Sequence, residues 1–193
     1  MTTIGIRRGG SVRRALRIGV PLGMVAGVVM AAWSMIAMWI TGAGFWTPLN
    51  LIAHTFDKSV PLKSTFSGPA VAIALVVHMA VASCFGVMIA LLAQKLPGTR
   101  SLVIAGGILL VAVVWPVMQY GVWYSIDEAA AEGISDWIFA IAHLIFGVVA
   151  AGLVAIAVAD DDSHRRGRHA VARTPQPAAE PPGSLFQPKR PRY

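Results

Sequence analysis

Residues 70–92 read AVAIALVVHMAVASCFGVMIALL, an unbroken run without Asp, Glu, Lys or Arg. An α-helix rises about 1.5 Å per residue and a bilayer's hydrocarbon core is about 30 Å thick, so roughly 20 apolar residues are needed to cross it. This run is long enough, and buried helices of water-soluble domains are usually shorter. Three further stretches, 18–40, 102–124 and 135–158, have the same character, with Asp136 at the rim of the last as their one charged residue. With 56% apolar and 13% charged residues in 193, and a mean hydropathy of +0.66, the composition agrees. The sequence therefore predicts an all-α fold, an integral membrane four-helix bundle over 18–159.

The flanks set the topology. Positively charged segments stay on the cytoplasmic side. If the N-terminus is cytoplasmic, fourteen of the 16 Lys and Arg residues fall on that side, and only Lys58 and Lys63 fall on the other. Residues 1–17 are then a basic cytoplasmic N-terminus, and the first span is an uncleaved anchor, twice as long as the apolar part of a secretory signal. Arg7-Arg8 and Arg13-Arg14 lack the rest of a twin-arginine signal. The net charge of +7 is accounted for by this bias, so it predicts contact with anionic lipid headgroups and not with nucleic acid. Residues 160–193, rich in Pro, Ala, Arg and Gln, read as a disordered basic cytoplasmic tail, with disorder from about 163. His164 and His169 in it are too sparse to suggest metal binding.

Between the first two spans lies a long segment, 41–69, whose first part, GFWTPLNLIAHTF, is too apolar for a solvated linker. Pro48, Leu49, Leu51, Ile52 and Phe56 fit a short helix lying in the membrane interface with Trp46 at headgroup level, serving as an anchor or as a lid. Trp39, Phe45, Trp123, Tyr124 and Trp137 cluster at the same end of the spans. Asp127, Glu128, Glu132 and Asp136 make the other loop acidic, but their spacing matches no calcium loop and reads as a solvated face.

Small residues recur every fourth position on three spans: Gly19, Gly23, Gly27; Ala82, Gly86, Ala90; Gly147, Ala151, Ala155. Such faces let helix backbones approach closely in lipid. His78 and His143 lie on these faces, each eight residues into its span and so about 12 Å deep. Ser34 and Gln119 fall at similar depth, giving every helix one polar side chain in a shared layer. Polar groups inside a membrane are costly and mark functional-site hypotheses.

Two uses compete. The four side chains hydrogen-bond between helices and fix their register. Alternatively, His78 and His143 are axial ligands of a b-type haem or bind a transition metal, with Gly86 and Gly147 either making room for a macrocycle or closing the helices too tightly for one. His54, close to Asp57, is a surface histidine or a third ligand above the layer. A proton relay through Tyr120 or Asp127 is disfavoured because no carboxylate lies deep in a span. Pro116 either kinks the third span one turn before Gln119, opening a cavity at the polar layer, or is a tolerated transmembrane proline whose freed carbonyl is satisfied by neighbours. Met24, Met30, Met35 and Met38 do not share a face and read as packing. Cys84, the single cysteine, excludes an internal disulfide.

The segments GFWTPLNLIAHTF, SGPAVAIALVVHMAVASCFG and IAHLIFGVVAAG together resemble a group of small uncharacterised four-helix inner-membrane proteins of bacteria, over about 18–158. The resemblance implies a bacterial cytoplasmic membrane and no particular chemistry. No nucleophile paired with a base, phosphate-cradling loop or buried carboxylate pair is evident. The expected function is that of a non-enzymatic protein acting as an oligomer or as an accessory subunit of a larger membrane complex. The alternatives are a bis-histidine electron-transfer subunit and a small-solute transporter or half-transporter.

Overall fold

The computed structural model describes residues 8–96 and 100–173. Every regular element among them is helical: α1 (Arg8–Ile40), α2 (Thr47–His54), α3 (Gly68–Lys95), α4 (Arg100–Pro116), α5 (Glu128–Glu132) and α6 (Asp136–Arg173). A π-helical stretch, Val117–Trp123, and a last turn, Tyr124–Ile126, extend α4. Four helical segments are long and apolar enough to cross a membrane: Val12–Ile40, Gly68–Lys95, Arg100–Ile126 and Asp136–Asp161. Their outward faces carry exposed Val28, Val76, Leu109, Val113 and Ile156, a distribution suited to lipid and unfavourable in water. The protein is an all-α, multi-pass membrane protein.

The chain divides into two units, Met1–Ala159 and Asp160–Tyr193. Helix α6 runs through Arg173, past position 163, where composition predicts disorder. The reason lies in the sequence: no proline intervenes before Pro175, and a proline excludes helix from the residue before it. Residues 174–193 of the expected tail, like 1–7 of the basic N-terminus, lie outside the described residues.

Within the first unit, glycine decides how the long helices meet. Gly19 and Gly23 of α1 lie against the backbone of Ala82, Gly86 and Val87 of α3, so close that a Cβ on any of the three glycines would strike main chain. Gly27 continues the seam against the Ala82 methyl. On α6, Gly147 packs on Val111 and Ile108 of α4, and Gly107 of α4 receives Ala151 in return. Ala26, Ile89, Val111, Phe146, Ala150 and Val154 fill the space between these seams.

The loops at the end of the bundle that carries 41–67 and 127–135 are ordered by specific side chains. Helix α1 stops where Gly42 and Gly44 take positive φ, 83° and 102°, which residues with a Cβ rarely adopt. Ser67 caps α3, its hydroxyl accepting from the Ala70 N–H, with Pro69 in the first turn. Helix α2 is not a surface anchor. Thr47, Pro48, Leu49, Asn50, Leu51 and Ala53 are all buried, Leu51 against Met38 and Ile138, and Leu49 and Ala53 near Ala70 and Ala74. Its apolar residues recur too densely for one face, so burial on several sides gains more than lying at the interface.

Candidate functional site

Under α2, the four long helices enclose a cavity of about 300 Å³. Its wall is built from Met30 and Ser34 of α1, His78, Val81 and Phe85 of α3, Val111 and Val114 of α4, and Phe139, His143 and Phe146 of α6, with Met118 and Trp123 from the π-helical stretch. Leu49, Ile52, Thr55 and Phe56 form the roof. The cavity is partly open, and its lining also includes exposed apolar residues of α3 and of the end of α4, Val81, Val122 and Ile126, with Phe56 of the loop.

Pro116 explains part of this space. Proline has no N–H and its ring crowds the carbonyl four residues back, so the α-helical ladder cannot continue unchanged. The expected kink is resolved as a π-helical stretch, in which the Tyr124 N–H reaches the Gln119 carbonyl five residues earlier. The wider turn brings Met118, Val122 and Trp123 to the cavity and turns Gln119 away from it.

The four polar residues of the sequence reading separate accordingly. Ser34, His78 and His143 line the cavity and Gln119 does not. No hydrogen bond joins any two of them. Ser34 donates to Met30 O, 3.0 Å away on its own helix. His143 Nδ1 donates to Phe139 O at 2.9 Å, also within its helix, and its ring stands edge-on to Phe139. Gln119 Nε2 donates to Ala131 O at 2.9 Å in α5, while its buried Oε1 has no partner. His78 alone bridges two spans, its Nε2 donating to Gly27 O of α1 at 2.9 Å. A Cβ at Gly27 would strike the Ala82 methyl, so the glycine permits the close approach of α1 and α3 across which this bond is made. Gly86 and Gly147 are spent on helix crossings and line no part of the cavity, so they do not provide a slot for a flat macrocycle.

The roof is fastened by a cluster that sequence reading scattered over two loops. His54 pairs with Asp127 (Nδ1 to Oδ2, 2.6 Å) and not with neighbouring Asp57, whose carboxylate is occupied by Ser59. Lys58 Nζ reaches the same Asp127 oxygen at 2.7 Å, and the Ala130 N–H donates to the other. Asp127 is buried, its side chain only 4% exposed. Burial by itself would push its carboxyl up, but the bonds from Lys58, His54 and Ala130 outweigh it and hold the group below the usual carboxylate range. Trp123 Nε1 donates to Thr55 Oγ1 at 2.9 Å, a second tie from α2 to the end of α4. Asn50, fully buried, donates to Lys63 O and Thr65 O and holds the following loop over α2.

The remaining candidates disperse. Tyr120 and Tyr124 donate to Asp136 and Glu132, so the acidic residues of that loop do not converge on one point. Among the described residues, no three His, Cys, Asp or Glu side chains form a group able to hold a metal ion. Met30 and Met38 are buried and Met24 is exposed, and Cys84 is exposed on α3. The Asn50 clamp and the His54 partner were missed because their signals are single polar residues in an apolar segment, with partners up to 73 positions away. The chain matches no protein-family model, no curated protein and no solved structure, so its function has to be argued from this cavity and its walls.

Proposed function

We propose that the protein is a non-enzymatic membrane protein that holds a small lipophilic molecule in the cavity beneath α2, as a binding or transport component. One observation carries the reading: a partly open cavity of about 300 Å³, the lower end of the size range of small-molecule sites, has mostly apolar walls that include exposed residues of two membrane-spanning helices, Val81 and Val122. Water-soluble solutes gain little from such walls, whereas a molecule dissolved in the bilayer meets those exposed residues directly. The proposed setting is a bacterial cytoplasmic membrane with both termini cytoplasmic, supported by the Lys and Arg bias and by the resemblance to small bacterial four-helix proteins. Association with further copies or with other subunits belongs to the same proposal. It would use lipid-facing surfaces, because the glycine faces of α1, α3 and α6 are already occupied within the chain.

The test is purification in mild detergent from the native host, followed by organic extraction and mass spectrometry. A Val81→Trp variant, which adds bulk at an exposed lining residue of the cavity, is the control. A stoichiometric lipophile present in the parent and lost in the variant supports the proposal; the same lipid profile in both refutes it. The bis-histidine reading has its own support, since His78 and His143 line one cavity. Oxidised and dithionite-reduced spectra with metal analysis of the same sample decide it, a Soret band lost in His143→Ala being the positive result.

A further inference from the structure

The cavity's polar groups have a common property that follows from counting their hydrogens. A backbone carbonyl only accepts, so the ring nitrogen that touches it must carry the proton. His78 is therefore protonated at Nε2, bonded to Gly27 O, and His143 at Nδ1, bonded to Phe139 O. An imidazole among apolar walls favours its uncharged form, which has one N–H and one lone pair. That leaves His78 Nδ1 and His143 Nε2 as bare acceptors. The other polar lining groups have also spent their protons: Ser34 on Met30 O, Thr55 on Leu51 O, and Trp123 on Thr55. An apolar cavity whose every N–H and O–H is already donated offers a ligand lone pairs only.

We infer that the ligand is a lipophile carrying two hydroxyl donors, of the quinol type, held by hydrogen bonds to His78 Nδ1 and His143 Nε2; this rests on the cavity's being a binding site at all. A molecule whose polar atoms are acceptors alone, such as an ether, an ester or the oxidised quinone, would set lone pair against lone pair. The site thereby discriminates between the reduced and oxidised forms of one lipophile without doing chemistry on it. A bare metal cation also seeks lone pairs, but no carboxylate or thiolate lines the cavity to balance its charge.

The experiment compares the diphenol 2-octylhydroquinone, kept reduced, with its dimethyl ether, by equilibrium binding to the full chain in lipid nanodiscs, with empty nanodiscs subtracted. Two neutral hydrogen bonds predict a preference for the diphenol of about 10- to 100-fold. The preference should fall to a few-fold in His143→Phe, which keeps an aromatic ring edge-on to Phe139 but removes the acceptor. Binding of neither probe would overturn the cavity reading and the inference with it. Equal binding of both would leave the cavity reading standing and overturn the inference alone. Nitrogen-15 NMR of the two rings gives a readout independent of affinity. The Nε2–H tautomer at His78 and the Nδ1–H tautomer at His143, with the bare nitrogens shifting on addition of the diphenol, support it. Doubly protonated rings, or haem bands or stoichiometric metal in the same preparation, overturn it.

Discussion

Substituting Gly86 by Ala adds one methyl group at the crossing of α1 and α3, and the geometry makes its cost calculable. The new Cβ would lie 2.6 Å from Gly23 Cα and 2.9 Å from Gly23 N, and closer still to Gly19 O. Carbon atoms rest at about 3.5–4.0 Å, and main chain cannot rotate aside, so the helices must separate by about 1 Å. Overpacking of this kind costs about 1–3 kcal/mol. The same separation stretches the 2.9 Å bond from His78 Nε2 to Gly27 O beyond useful length, losing a further 0.6–1.7 kcal/mol or so. Less the gain of about 1 kcal/mol that a helical Gly→Ala exchange brings, the expected net loss is about 1–4 kcal/mol. Gly152→Ala is the matched control: nothing lies within 4 Å of a Cβ there, and exchanging glycine for alanine in a helix stabilises by about 1 kcal/mol. Unfolding by SDS in mixed micelles, followed by circular dichroism, measures both. In a cycle with His78→Phe, the two losses should fall short of additivity by about the value of the shared bond. Equal stabilities for Gly86→Ala and Gly152→Ala would refute the packing described here.

Other outcomes follow from the ties around the cavity. The Asp127 carboxyl is depressed below its ordinary 3.8, so its stabilisation is complete above that value and is lost as the pH falls through the lower folded-state value. Asp127→Asn should destabilise the parent at neutral pH by about 1–3 kcal/mol and flatten the acid limb of its stability profile, which thermal unfolding between pH 2 and 7 would show. Asn50→Leu removes both donors to Lys63 O and Thr65 O and should speed amide exchange in residues 57–66 while leaving α3 protected, as read by hydrogen–deuterium exchange. Gly44→Ala combines a φ of 102° with a collision against Ser64, and a loss of at least about 1 kcal/mol is expected in the same micelle assay. Cys84 should resist a charged maleimide in membranes and react with it after unfolding in SDS; labelling by the charged reagent in intact membranes would mean that this face of α3 meets water.

The long helices were legible because hydrophobic length is a local property: each of 18–40, 70–92, 102–124 and 135–158 can be read without reference to the others. The glycine seams were legible for a related reason, since fourfold spacing puts Gly19, Gly23 and Gly27 on one face whatever that face meets. What escaped depends on partners. A periodic pattern places Gln119 at the depth of the histidines, but the π-helical stretch after Pro116 rotates it toward Ala131, and only the full helix reveals that rotation. His143 and Ser34 sit at the expected depth yet bond to carbonyls four residues back on their own helices, an option that sequence spacing cannot rank against a bond across the bundle. Helix α2 read first as an interfacial anchor and only second as a lid, because Leu49 and Leu51 are apolar enough for either a headgroup layer or a protein core.

The link from His54 to Asp127 also has a consequence for how the protein is made. The two residues are 73 positions apart, and chains grow at about 5–20 residues per second, so the carboxylate emerges roughly 4 to 15 s after the histidine. During that interval α2 has been synthesised without the partner that fastens it, and α3 and the whole of α4 with its π-helical extension must be made before the partner arrives. The roof is thus secured seconds after it is made, and the wall that α6 supplies arrives later still, so the space below the roof stays open on that side while the ribosome is at work.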